Sequence, residues 1–145
     1  MLSINLDRIA KNKADILEVK REVENIIGLP KKDFLKERRN SLALKYLLIQ
    51  AVEAVVDISQ HILAKIKGIP CEGYVDCIIK AGENGLITKK LAEKLRRLMD
   101  LRNNLIHRYW RIDDNELYTV SKENISDLES FVSQIDDFIK KVGTQ

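Results

Sequence analysis

The chain has 145 residues, 45% of them hydrophobic and 32% charged, a length that suits one domain, residues 1–145, and an apolar fraction that suits a packed core. Lysine and arginine outnumber aspartate and glutamate by 25 to 22, a formal charge of +3, so net charge alone does not announce a nucleic-acid partner. The N-terminus has no basic-then-apolar leader pattern and no apolar run approaches the roughly 20 residues that cross a bilayer, so no membrane association is expected and the compartment should be the cytoplasm.

Few glycines and prolines, with abundant Leu, Ile, Lys and Glu, favour helices over strands. From Leu6 the apolar residues Ile9, Ile16, Val19, Val23 and Ile26 recur at helical spacing and stop at Gly28-Leu29-Pro30. Asp33 is then placed to cap a long second helix. Its stripe of Leu44, Leu48, Ala51, Val55, Ile58, Ile62 and Ile66 ends at Gly68-Ile69-Pro70 and marks it as the central element. A short third helix is expected between Gly73 and Glu83, closed by Glu83-Asn84-Gly85. Thr88 is a good N-cap for a fourth, whose face reads Leu91, Leu95, Leu98, Leu101, Leu105. After a polar turn at Asp113-Asp114-Asn115, Leu117-Tyr118-Thr119-Val120 reads as short and extended at best. Ser121 then opens a last helix carrying Ile125, Leu128, Val132, Ile135 and Phe138. The expected architecture is an all-α, up-and-down bundle of about five helices.

Basic residues gather at Lys31, Lys32, Lys36, Arg38 and Arg39 and again at Lys89, Lys90, Lys94, Arg96 and Arg97, runs that read first as solvated faces. Cys71 and Cys77, with only two histidines elsewhere, match neither a zinc spacing nor a disulfide framework, and read as ordinary reduced thiols.

The chemically richest stretch is Leu101-Arg102-Asn103-Asn104-Leu105-Ile106-His107-Arg108-Tyr109-Trp110, at the C-terminal end of the fourth helix. Asn103 and His107, four apart, share a face, so the amide can hydrogen-bond the imidazole and fix its tautomer. Arg102 and His107, five apart, are offset by roughly 140°, so they flank a helix edge and leave room for a partner helix to complete a pocket. An arginine and a histidine suffice for RNA cleavage without metal or cofactor. Histidine transfers the ribose 2′-OH proton, and the guanidinium stabilises charge on the phosphorane. On spacing alone the plainer reading stays open, in which His107 hydrogen-bonds at a helix end where the dipole favours a cation.

The string Arg-x-x-x-x-His-x-Tyr from Arg102 to Tyr109, with Asn directly after the Arg, resembles the defining motif of the HepT-type HEPN toxins. The likeness extends to Tyr46–Ile58, which is similar to that family's central helix, to Gly68-Ile69-Pro70 followed by Tyr74, to Gly85-Leu86-Ile87, and to Arg111-Ile112-Asp113 and Leu117-Tyr118. The resemblance implies a HEPN-like bundle that dimerises through the motif-helix region, its two motif helices facing each other across a composite cleft. It implies a type VII-like toxin–antitoxin module in which the chain is a metal-independent endoribonuclease. Arg102 and His107 would be the catalytic pair and Asn103 their orienting neighbour. The implied partner, beside the RNA substrate, is a minimal nucleotidyltransferase antitoxin that adenylylates the motif tyrosine, here Tyr109. HEPN domains also include catalytically silent members that bind a nucleotide or a nucleotidyltransferase, which is the alternative reading.

Other residues admit two readings. Tyr109 and Trp110 beside Arg108 and Arg111 form an aromatic and basic patch, suited equally to unpaired bases and phosphates, with Arg108 and Arg111 binding substrate, or to a dimer interface. His61 lies beside the stripe of the second helix and reads as structural. Glu53 and Asp57, four apart, read as a solvated or salt-bridged face rather than a metal pair. Tyr46, Tyr74 and Tyr118 read as core or turn residues.

Overall fold

The structure is a computed structural model that describes residues 4–108 and 112–143. Its described residues form seven α-helices and no strand. α1 (Leu6–Ile27) is capped by Asn5, whose side chain accepts from the Arg8 N–H at 3.0 Å, and buries Ile9, Ile16, Val19, Val23 and Ile27. A short α2 (Lys31–Lys36) buries Phe34. α3 (Arg38–Ile62) is the central helix, touching α1, α2, α4, α5 and α6. It runs on through a π-helical turn, Leu63–Lys67, to Gly68. There the backbone turns left-handed (φ 66°), a conformation that costs glycine least. α4 (Tyr74–Glu83), α5 (Lys89–His107), α6 (Asp114–Asn124) and α7 (Ser126–Gly143) follow.

The two helices beyond the expected five have local causes. The long second helix is broken at Glu37, whose backbone is extended (φ −113°, ψ 110°). Asp33 therefore sits in the first turn of α2 rather than capping α3, and Pro30 occupies the α2 N-cap position. The segment expected to be extended, Leu117 to Val120, is helical. The Asp113 side chain accepts from the Asn115 N–H at 2.8 Å, one of the donors a helix start leaves unpaired. Leu117, Val120, Ser121 and Asn124 are buried at spacings of three and four, the period of one helix face. Ser121 thus lies inside α6, and the last helix opens at Ser126.

All the apolar residues expected on the α5 and α7 faces are buried, and the α3 stripe is buried except for Ile66, which is packed partly against the core. Tyr118 fulfils the core reading: its ring lies 5.1 Å from that of Phe34 and its hydroxyl donates to Leu29 O at 2.7 Å. Tyr46 does not, being 68% exposed. Both basic clusters are exposed, as solvated faces should be.

One contact shows how closely α4 packs on α5. A Cβ on Gly82 would lie 2.8 Å from the Ala92 Cβ, so only a glycine facing an alanine lets α4 and α5 approach this closely. That approach carries the first residue of α4, Tyr74, toward the motif on α5.

Candidate active site

α5 carries the motif because its faces differ in sequence. Leu91, Ala92, Leu95, Leu98, Met99, Leu101 and Leu105 are buried. Arg102 follows Leu101 by roughly 100° of helix rotation, which places it at the edge of that apolar stripe. Its side chain is only 14% exposed, and a guanidinium so far withdrawn from water requires partners.

Two other helices supply them. Arg102 Nη2 donates to Glu53 Oε1 on α3 and to the Tyr74 hydroxyl oxygen at the start of α4, both at 3.1 Å. Nη1 donates to Asn103 Oδ1 at 3.3 Å. The guanidinium carbon stands 3.9 Å from the centroid of the Tyr74 ring, within the range of a cation–π contact. Tyr74 in turn donates to the Glu53 carboxylate, 2.7 Å from Oε2, which closes a three-membered network. Burial, and then the hydrogen bond to Glu53 and its negative charge, push the Tyr74 phenol above its ordinary range against the opposing charge of Arg102. The hydroxyl therefore remains a donor at neutral pH. Arg102 Nε is buried and meets no acceptor among the described residues.

His107 is the last residue of α5 and is exposed. Asn103 turns its amide oxygen to Arg102, and no hydrogen bond links it to His107. This differs from the expected amide–imidazole pair because the adjacent guanidinium is the stronger donor. Arg108 is the C-cap, with its backbone outside the helical region (φ −143°, ψ 43°) and its N–H donating to Asn104 O at 2.7 Å. The helix thus ends just after His107. Tyr109, Trp110 and Arg111, the expected modification site and part of the expected substrate patch, lie outside the described residues.

The motif alone does not point to Glu53 or to Tyr74, which the sequence reads as a turn or core residue. The available signal was physical: an arginine beside an apolar stripe has to find a carboxylate. Asp57, one turn along α3 from Glu53, receives Arg8 Nε at 3.0 Å and also Asn12. The hydrogen bond from Arg8 holds the Asp57 carboxyl below the usual carboxylate range against the effect of burial. The salt-bridged reading of the two carboxylates therefore holds. So does the structural reading of His61, a buried residue whose Nε2 accepts from the Asn5 N–H at 2.9 Å. Burial, then the charges of Arg8 and Lys65, push its imidazole below the ordinary range, with Asp57 opposing.

Residues 16–135 match the family described as Ribonuclease HepT-like. The chain belongs to that family. Among curated relatives, a tRNA nuclease HepT of Aphanizomenon flos-aquae is 28% identical over 107 residues, covering 74% of this chain and 73% of its own. A putative RNase of Archaeoglobus fulgidus is 30% identical over 97 residues, covering 67% and 73%. An mRNA nuclease HepT of Shewanella oneidensis is 30% identical over 89 residues, covering 61% and 66%. Solved structures share the fold. YutE, a cytosolic protein from Bacillus subtilis, superposes with a TM-score of 0.85 at 18% identity, over 97% of this chain and 94% of its own. A tri-AMPylated HEPN toxin of Shewanella oneidensis, in complex with an MNT antitoxin, gives 0.83 at 23% identity over 90% and 98%. The expected family, the helical-bundle fold and the assignment as a ribonuclease are thereby borne out. No helix among the described residues is long and apolar enough to cross a membrane.

Proposed function

We propose that this HepT-like ribonuclease is the toxin of a HEPN–MNT toxin–antitoxin module and cleaves RNA at an internal phosphodiester without a metal, using Arg102 and His107. The observation that carries the reading is the contrast within one helix end. Arg102 is held by a carboxylate, a phenol and an amide, while His107 stands exposed five residues on. The histidine takes the proton of a ribose 2′-OH, whose oxygen attacks the adjacent phosphorus. The pre-placed guanidinium receives the developing phosphorane charge, and the 5′-oxygen leaves and is protonated as the histidine gives up the proton it took, so the products are a 2′,3′-cyclic phosphate and a free 5′-hydroxyl. In the absence of RNA, Glu53 occupies the cation that a phosphate would later bind, and the fork of the guanidinium accepts either anion. Asn103 serves as a positioning residue for Arg102, and Arg108 and Arg111 contact the RNA backbone.

Two further features complete the proposal. The chain works as a symmetric homodimer, in which the second motif helix closes the cleft that the 140° offset leaves open. Support comes from Ile106, a neighbour of His107 that is 44% exposed. Tyr109 is adenylylated by the nucleotidyltransferase partner. The added phosphate competes with RNA for the nearby arginines, a reading supported by the AMPylated state of the Shewanella oneidensis toxin.

The test is cleavage of RNA in the presence of a chelator, with end-group analysis, by the parent and by His107→Ala. The expected result is metal-independent cleavage leaving a cyclic phosphate, lost in the variant. Strict dependence on magnesium, or parental activity in His107→Ala, overturns the assignment.

A further inference from the structure

The segment that delivers Tyr74 to Arg102 carries two thiols that the proposed reaction does not use. Cys71 lies in the turn before α4 and is half-buried, while Cys77, one turn into α4, is buried, and both are free. Their Sγ atoms are 3.0 Å apart, nearer than two sulfurs in ordinary contact. Six residues of chain bring them together because the turn folds back over the helix start. Gly73 adopts φ 135°, a region that side chains rarely enter, and the Glu72 N–H is held by Asp76 Oδ2 at 2.8 Å. Lys80 clamps the same turn, donating to Pro70 O at 2.9 Å and pairing with Asp76. A small cleft, about 150 Å³, opens against Cys71, Tyr74, Glu53, Asp57 and Gln60. Cys71 lines it and Cys77 does not.

We propose that Cys71 and Cys77 form an oxidation site at which a small hydroperoxide converts the two thiols into an intramolecular disulfide. The cleft admits the oxidant to Cys71 alone. The Cys71 thiolate attacks the peroxide oxygen, the O–O bond breaks and an alcohol or water leaves, giving a sulfenic acid. Cys77 Sγ then attacks Cys71 Sγ, the S–O bond breaks, and the sulfenic oxygen departs as water with the Cys77 proton. Two thiols lose two electrons and the peroxide gains them. The order of events also follows from burial. The apolar surroundings of Cys77, and next its hydrogen bond with Cys71 and the charge on it, push that thiol far above its ordinary range, so it is a poor first nucleophile. Once Cys71 is a sulfenic acid, the contribution from its charge disappears. The bridge encloses Gly73 and Tyr74 and fixes the turn that holds the Tyr74 ring over Arg102. Both the site and its test are independent of the proposed RNA cleavage.

The experiment treats the native protein with hydrogen peroxide and reads intact mass, peptide maps and Tm before and after reduction. The expected result is the loss of two hydrogens, a single Cys71–Cys77 crosslinked peptide, and a rise in Tm of about a few °C that reductant reverses. Cys77→Ser should instead accumulate a sulfenic acid at Cys71, trapped by dimedone, and Cys71→Ser should leave Cys77 unreacted. Both variants are to show the cooperative unfolding of the parent. Persistence of two free thiols in the treated parent, oxidation of Cys71 to a sulfinic acid with Cys77 untouched, or equal trapping at Cys77 in Cys71→Ser each overturns the proposal.

Discussion

Glu53 and Asp57 stand one turn apart on α3, and each receives an arginine from a different neighbouring helix. Arg8 from α1 meets Asp57, with side chains 49% and 33% exposed. Arg102 from α5 meets Glu53, with the arginine only 14% exposed. The first pair is a clasp, two charges satisfying each other at the surface with Asn12 filling a remaining acceptor position. In the second, the cation is withdrawn from water, stacked on Tyr74 and left with one N–H that meets no acceptor among the described residues. An arginine paired with a carboxylate thus makes a structural staple in one place and a pre-placed cation in the other. The difference lies in burial and in the third residue present.

The largest effect that sharpens this contrast is on catalysis. Arg102→Ala should lower RNA cleavage by at least about 10²- to 10³-fold, the cost of deleting one pre-placed charge-stabilising donor. Arg8→Ala should leave kcat within about twofold, since Arg8 pairs with Asp57 and makes no hydrogen bond to Arg102 or His107. Single-turnover cleavage of a common RNA by the two variants makes the comparison, and equal losses would erase the distinction between the two arginines.

Next in size is the role of the third residue. Tyr74→Phe keeps the ring over the guanidinium but removes the hydroxyl that joins Arg102 to Glu53, so kcat should fall about five- to tenfold with little change in KM. Glu53→Gln removes the anion that a phosphate must displace, so RNA should bind more tightly to it, as a lowered KM or a lowered Kd. A Tyr74→Phe variant indistinguishable from the parent would reduce Tyr74 to a packing residue.

This contrast also marks how far residue order reaches. Faces built from neighbours three and four apart, such as Leu91 to Leu105 on α5, were legible because helix periodicity is local. Leu117-Tyr118-Thr119-Val120 misled because large and β-branched residues over a four-residue window suit a strand as well as a helix. The Asp113 cap and the burial of Asn124 decide between them. Arg102, Asn103 and His107 were found as a cluster, but Glu53 lies 49 residues from Arg102 and Tyr74 lies 28 away. Glu53 reaches Arg102 through the packing of α3 against α5, and Tyr74 through the close crossing of α4 and α5 at Gly82 and Ala92. A crossing between two helices has no signature in the period of either one.

Around the Asp57 clasp, acid provides a smaller probe. His61 accepts from the Asn5 N–H at the start of α1, and its imidazole is pushed below the ordinary range. The folded state thus favours the neutral ring. The stabilisation is fully present above the ordinary value of about 6.5 and is lost as pH falls through the lower folded value. His61→Gln offers an amide oxygen as acceptor and does not titrate. Denaturant unfolding from pH 7 to pH 5 should show the parent losing about 1 kcal/mol relative to the variant. Parallel curves would mean that the Asn5 bond survives protonation or contributes nothing.

The smallest expected effect belongs to the clasp itself. Arg8 and Asp57 are partly exposed, and pairs of that kind are worth about 0–1 kcal/mol after screening and side-chain entropy are counted. Asp57→Asn should therefore cost less than about 1 kcal/mol at neutral pH, and the cost should shrink as salt is raised, because mobile ions screen charges that water can reach. The pH dependence has a definite sign. Since Arg8 holds the Asp57 carboxyl below its ordinary range, the contribution is present above about pH 4 and fades as pH falls through the lower folded value, where the parent and Asp57→Asn should converge. Asp57 also opposes the depression of the His61 imidazole, so its removal should move the histidine's titration to still lower pH. That shift is readable by NMR even where the stability change is too small to measure. A salt-independent cost, or an unmoved His61 titration, would mean that Asp57 acts through packing and that the clasp resembles the partly withdrawn Arg102 network more closely than its exposure implies.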